Sequence, residues 1–193
     1  MRTIRTKIYK FEELSKEAQG IVIEEYRNGN TDIDLDPFNE SCKEQIEEAG
    51  FYDDVSLQYS LSYSQGDGLS FSCDKIKESV LFSFFAEILG AGKEKTAKVL
   101  IDNCSFTLLA SGHYTYASKS HIDYYLEGGF KDLSNCEEII AQVLDKLENY
   151  YLDLCKELEN QGYKCIEDIN SDDYIKEILS INNYEFLSNG KMY

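Results

Sequence analysis

The chain has 193 residues, 42% hydrophobic and 13% aromatic, enough to bury a core without disulfide or metal staples and too apolar for global disorder. Lys and Arg total 19 against 36 Asp and Glu, a formal net charge of −17. A surface of that sign repels nucleic acid and anionic membrane, and it attracts cations and basic protein surfaces, including the nucleic-acid grooves of other proteins.

The start, "MRTIRTKIYKFEEL", holds no apolar core of signal-peptide length, and no run nears the roughly 18 apolar residues of a membrane span. "RTIRTKIYKF" alternates Ile4, Tyr9 and Phe11 imperfectly with charges and predicts an edge strand. "LSKEAQGIVIEEYRNG" predicts a helix with Ser15 as N-cap, a face of Ala18, Ile21, Val22 and Tyr26, and Asn28-Gly29 as its stop. Pro37, the only proline, opens a second helix that runs to about Ala49 and ends at Gly50.

Val55, Leu57, Tyr59, Leu61 and Tyr63 then alternate with Gln58, Ser60, Ser62 and Ser64. After Gln65-Gly66-Asp67-Gly68 the alternation resumes at Leu69, Phe71 and Cys73. Two period-2 runs around a Gly-rich break predict a hairpin of 55–64 against 69–73, apolar on one face and therefore covered on one side. "IKESVLFSFFAEILG" turns helical, with Ile76, Val80, Leu81, Phe84, Phe85, Ile88 and Leu89 as a face suited to that sheet. "CSFTLLASGHYTY" and "SHIDYYLEGG" predict a second hairpin.

Ser134 with Glu137 fits a capping box at the start of a long helix. Its stripe of Ile140, Leu144, Leu147, Tyr151, Leu154 and Leu158 serves either to cover the domain's own sheet or as the seam of a homodimer. A short helix from about Asp172 to Leu179 and a terminal strand "YEFLSNG" close the chain. With no linker and no repeat, residues 1–193 read as a single compact α+β domain. Its antiparallel sheet is built from hairpins and covered on one face by helices, with a long C-terminal amphipathic helix.

The chemical motifs are weak. "GAGKEKT" (90–96) fails the phosphate-loop pattern because Glu94 follows Lys93 and a helix precedes it. Asp32, Asp34 and Asp36 have calcium-loop spacing, but Pro37 and Lys43 stand where that loop needs Gly and Glu, so an acidic helix entry is the plain reading. The two histidines, His113 and His121, face each other near Asp123 if the second hairpin turns at Ala117. Such a pair can hold a metal or move a proton, but no third ligand stands at a telling spacing, and a tyrosine-rich polar sheet face explains the residues as well. With no GxSxG, HExxH or Cys-His arrangement, no catalytic residue, metal or cofactor is expected. Six cysteines without a CxxC pair read as reduced thiols in a cytoplasm. "SQGDG" reads first as a turn. The Gln65 side chain exceeds what a turn requires, so Ser64, Gln65 and Asp67, with His113, Tyr114 and His121, form a candidate ligand set.

"KIYKFEELSKEAQGIVIEEYRN", "LQYSLSYSQGDGLSF", "SGHYTYASKSHID" and "NNYEFLSNGK", in this order over nearly the whole chain, resemble a widespread family of small phage and prophage accessory proteins. Some of its members carry an automatic antitoxin label. The resemblance implies a counter-defence role in the cytoplasm of an infected host cell, and this chain departs from the family in its cysteine-bearing segment 136–165. Three functions follow. The first is a stoichiometric inhibitor of a bacterial immune system, anti-CRISPR-like, that uses acidic residues (Asp32, Asp34, Asp36, Glu44, Glu47 and Glu48) to bind a basic defence protein or ribonucleoprotein effector. It would touch neither nucleic acid nor membrane directly. The second is a nucleotide-binding protein or enzyme with a polar pocket. The third is an antitoxin-like partner that docks through the long helix.

Overall fold

A computed structural model describes residues 6–29, 33–110, 115–126 and 136–193. In chain order the elements are α1 (Lys16–Gly29), α2 (Asp36–Glu48), β1 (Phe51–Tyr52), β2 (Ser56–Ser60), β3 (Gly68–Ser72), β4 (Lys75–Ile76), α3 (Glu78–Leu89), α4 (Glu94–Asp102), β5 (Cys104–Leu109), β6 (His121–Leu126), α5 (Cys136–Ile169) and α6 (Asp172–Ile181). Contacts group them into two compact units. One is formed by Met1–Leu35 with Tyr163–Tyr193, the other by Asp36–Gly162. The class is α+β with antiparallel strand pairs and a long C-terminal helix, as the periodicities predict.

In the first unit Ser15 caps α1, its Oγ accepting the Ala18 N–H at 3.2 Å. Ala18, Val22 and Ile23 pack with Phe11, Leu14, Ile175, Leu179 and Phe186. Ile23 takes the place expected of Ile21, which is exposed. At 100° per residue the two lie equally far from the centre of the Ala18–Val22–Tyr26 stripe, and α6 supplies Ile175 and Leu179 on the Ile23 flank. Among the described residues the expected first and last strands are isolated bridges: Tyr9 and Phe186 exchange both backbone hydrogen bonds at 2.9 Å, and Phe186 also bridges Met192. The Glu13 carboxylate accepts the Lys10 N–H at 2.8 Å and turns the chain into a 3-10 turn at Phe11–Glu13, so no ladder continues. Ser171 caps α6 by accepting the Tyr174 N–H.

In the second unit, Phe38, Cys42 and Ile46 of α2 are buried at i, i+4, i+8. Gly50 follows at φ +99°, where a Cβ would lie 2.5 Å from Val80 Cγ2. The strands form three two-stranded ladders, β1–β4, β2–β3 and β5–β6. A Cys73–Leu108 bridge, with N–H to O distances of 3.1 and 3.0 Å, joins β3 to β5. Beside that bridge, the Tyr151 hydroxyl from α5 reaches both Phe71 N and Phe71 O at 3.3 Å, standing where the next strand residue would. The rings of Phe51, Phe71 and Tyr151 pack edge to face, with centroids 4.9–6.4 Å apart.

The buried stripe of α5 is Cys136, Ile140, Val143, Leu147, Tyr151, Cys155, Leu158 and Gly162. Val143 and Cys155 thus hold places expected of Leu144 and Leu154, which are half-buried. The steps average about 3.7 residues per turn, above the straight-helix 3.6 and away from the heptad's 3.5, so the stripe is not a heptad coiled-coil seam. The helix is 34 residues long, about 51 Å at 1.5 Å per residue. Its expected cap, Ser134, lies outside the described residues. Among the described residues no helix is long and apolar enough to cross a membrane.

Candidate functional site

The most distinctive chemistry lies on α2. With Phe38, Cys42 and Ile46 inward, the opposite arc carries Asp36, Glu40, Glu44, Glu47 and Glu48, all exposed. Successive carboxylates at i, i+4 stand about 6 Å apart along the axis. Over the 13-residue helix, about 20 Å, they give one carboxylate per roughly 4 Å. A DNA strand carries one phosphate per about 3.4 Å of axis, a charge density of the same order. Lys43, at the edge of the arc, is the one base on the helix. Among the described residues Glu40, Glu44, Glu47 and Glu48 stand in no ion pair. Glu47 and Glu48 sit at the negative end of their own helix, where a carboxylate costs a few tenths of a kcal/mol. Lys77 Nζ, donating to the Glu47 carbonyl, offsets part of that cost.

Of the expected acidic residues, α2 therefore brings together Asp36, Glu44, Glu47 and Glu48. Asp34 precedes the helix and is exposed, and Asp32 lies outside the described residues. Sequence reasoning passed over Glu40, although its i, i+4 spacing to Asp36 and Glu44 was there to be read. No group of three His, Cys, Asp or Glu capable of holding a metal occurs among the described residues.

The "SQGDG" segment is a turn organised by Asp67. The strand expected to reach Ser64 stops at Ser60, which pairs with Gly68, and 61–67 form the connection. Asp67 Oδ1 accepts from the hydroxyls of Ser60, Ser62 and Ser64 at 3.0, 2.9 and 3.2 Å. Its Oδ2 accepts the Ser64 N–H at 3.1 Å, and the Asp67 N–H returns to Ser64 O at 3.2 Å. Gly66 holds φ +130° inside that turn. Gly68 passes so close to Thr115 that a Cβ would meet its carbonyl oxygen at 3.1 Å. Ser64 and Asp67 thus serve each other, whereas Gln65 is exposed and makes no part of that network.

The expected histidine pair falls on His113, outside the described residues; β5 ends at Leu109, which is the cross-strand partner of His121. His113 and Tyr114 lie outside the described residues. His121 Nε2 stands 3.7 Å from Asp123 Oδ1, with both side chains exposed. His121 borders a cavity of about 110 Å³ beside Ser120 and Tyr151, and Asp67 borders one of about 370 Å³ beside Tyr116 and Lys156; the two share Ala117, Ser118 and Leu152 as walls.

All six cysteines are free thiols. Burial pushes Cys73 and Cys104 up to about 11 and Cys155 up to about 12, the opposite of an activated nucleophile. Of "GAGKEKT", residues 90–93 connect α3 to α4, a helix the periodicities did not reveal, and Glu94, Lys95 and Thr96 form the first turn of α4.

No family model, curated protein or solved structure matches the chain.

Proposed function

We propose that this protein is a phage-encoded inhibitor of a bacterial immune system. It binds one to one, laying the carboxylate arc of α2 in the basic nucleic-acid groove of a defence protein or ribonucleoprotein effector in the host cytoplasm. The observation that carries this reading is the row of exposed carboxylates on α2, opposed to a buried apolar row that fixes its direction. A net charge of −17 steers such an encounter at long range. The resemblance to phage accessory proteins supplies the biological setting. A ligand-pocket function has less support, because the Asp67 carboxylate already serves its own turn, accepting from Ser60, Ser62 and Ser64.

The test compares two triple reversals of equal net charge. Glu40→Lys with Glu44→Lys and Glu48→Lys alters the arc. Glu138→Lys with Asp145→Lys and Asp153→Lys alters α5 instead. Phage plaquing is scored on a host with an active immune system that expresses each variant. The arc variant is expected to lose protection and the α5 variant to keep it. Binding to the isolated effector should weaken as the Debye length falls from about 10 Å at 0.1 M salt to about 3 Å at 1 M. Equal protection by both variants would reject the arc as the binding surface.

A further inference from the structure

The first unit holds a cavity of about 430 Å³ that no part of the preceding reading uses. Its walls include Tyr26, Tyr184 and Phe186, with Met192 at one side and Glu25 and Gly29 from the last turn of α1. Four features of this cavity select for positive charge. Three aromatic residues line one space, and aromatic faces attract cations within about 6 Å of the ring centre. Among the described residues no Lys or Arg lines it, and Glu25 brings the only carboxylate. Glu25 makes no ion pair among the described residues, in contrast to its neighbour Glu24, which holds Arg27. The C-terminal turn of α1 presents the negative end of a helix, which also favours a cation.

Of the cations near it, Lys191 follows the lining residue Gly190 without itself lining the cavity, and Arg27 is committed elsewhere. Arg27 Nη2 contacts Asp172 Oδ1 at 2.5 Å and its Nε donates to the Asn170 carbonyl at 3.0 Å. The Tyr26 hydroxyl resists ionising, through burial first and then the hydroxyls of Tyr184 and Tyr174 nearby, so the wall supplies neutral acceptors to a donor cation. The volume lies within the range of small-ligand pockets, about 300–1,000 Å³.

We infer that this cavity binds an organic cation, an alkylammonium or guanidinium group, held against Tyr26, Tyr184 and Phe186 and neutralised by Glu25. The cation is either a free small amine or a Lys or Arg side chain of a partner protein. The inference stands independently of the α2 arc.

The chain carries a built-in reporter. It has two methionines, Met1 and Met192, so methionine-methyl labelling gives Met192 its own signal at the cavity wall. The full chain is titrated with n-butylammonium chloride, with N-acetyl-lysine methylamide and with neutral n-butanol. Saturable movement of the Met192 signal by both cations, several-fold tighter than by butanol, is the expected result. The tighter of the two cations distinguishes a free amine from a peptide side chain. Glu25→Gln, on an exposed position that leaves the core intact, should weaken both cations about two- to fivefold and leave butanol unchanged. Three outcomes overturn the inference: no saturation below about 100 mM, an equal response to butanol, or indifference of cation affinity to Glu25→Gln.

Discussion

Replacing Tyr151 by Phe removes one oxygen and leaves a ring of the same shape, so it isolates what that hydroxyl does in the sheet. Tyr151 is 2% exposed and Phe71 is fully buried. The hydroxyl lies 2.8 Å from Ser120 Oγ and 3.3 Å from Phe71 N. It has one proton, which goes to the nearer Ser120 acceptor, and its lone pair receives the Phe71 N–H. Without it, a buried backbone donor keeps only the Cys155 thiol as a neighbour, and sulfur is a weak acceptor. An orphaned buried N–H costs about 1–3 kcal/mol. Ser120 is half-exposed and can recover a water, which adds about 0.5 kcal/mol. A total of about 1.5–3.5 kcal/mol corresponds, at about 2–4 °C per kcal/mol for a chain of this length, to a Tm lowered by about 3–14 °C. Urea and thermal unfolding followed by near-ultraviolet circular dichroism measure it. Tyr150→Phe serves as the control, since its half-buried hydroxyl donates to Ala49 O at 3.1 Å and should cost about 1 kcal/mol or less. A Tyr151→Phe protein within about 0.5 kcal/mol of the parent would refute the reasoning and assign the Phe71 N–H to the Cys155 sulfur.

Asp67→Asn should cost about 1–2 kcal/mol in urea unfolding, because one amide oxygen cannot serve three hydroxyls and the Ser64 N–H. Gln65→Ala should stay within about 0.5 kcal/mol, and the reverse order would contradict an Asp67-centred turn. Gly162→Ala places a Cβ 2.5 Å from Leu61 Cδ1 and 2.9 Å from Phe38 Cζ. Overpacking of about 1–3 kcal/mol should therefore outweigh the gain in helix propensity of up to about 1 kcal/mol, and a raised Tm would show that Leu61 and Phe38 yield freely. Stability should also fall above pH 9. The folded Cys155 thiol keeps its proton to about 12, whereas the unfolded thiol releases it near 9.0, so the native state binds more protons across that window. Each pH unit then removes about 1.4 kcal/mol for this group, and urea midpoints constant from pH 8 to pH 10.5 would contradict its burial.

Periodicity reveals an element well where one face is buried and one is wet. α1, α2, α6 and the β2–β3 hairpin are legible for that reason, down to Ser15 as a cap and Gly50 as a stop. Periodicity fails where two residues compete for one place. Ile21 and Ile23, or Leu154 and Cys155, differ only in which neighbour approaches, and neighbours are a tertiary fact. It also fails where hydrogen bonds outrank hydrophobicity. Leu61 and Tyr63 continue the strand pattern, yet Asp67 draws the alternating Ser60, Ser62 and Ser64 into a turn. The ends of the chain read as strands because Tyr, Ile and Phe are enriched there, but a Glu13 side chain taking the Lys10 N–H bends the first run after one pairing. As for the candidate site, the acidic entry to α2 was visible as composition. Its alignment into one arc required knowing that Phe38, Cys42 and Ile46 face inward.

The first unit is assembled from chain segments made far apart in time. Val22 and Ile23 of α1 bury themselves on Ile175, Leu179 and Phe186, some 150 residues later. At a synthesis rate of about 5–20 residues per second, α1 leaves the ribosome roughly 8–30 s before its cover exists. Asp36–Gly162 is complete in the interval and can collapse on itself first. Throughout that wait Ala18, Val22 and Ile23 lack the cover that Ile175, Leu179 and Phe186 give them in the folded unit, and their apolar side stays open to other hydrophobic surfaces.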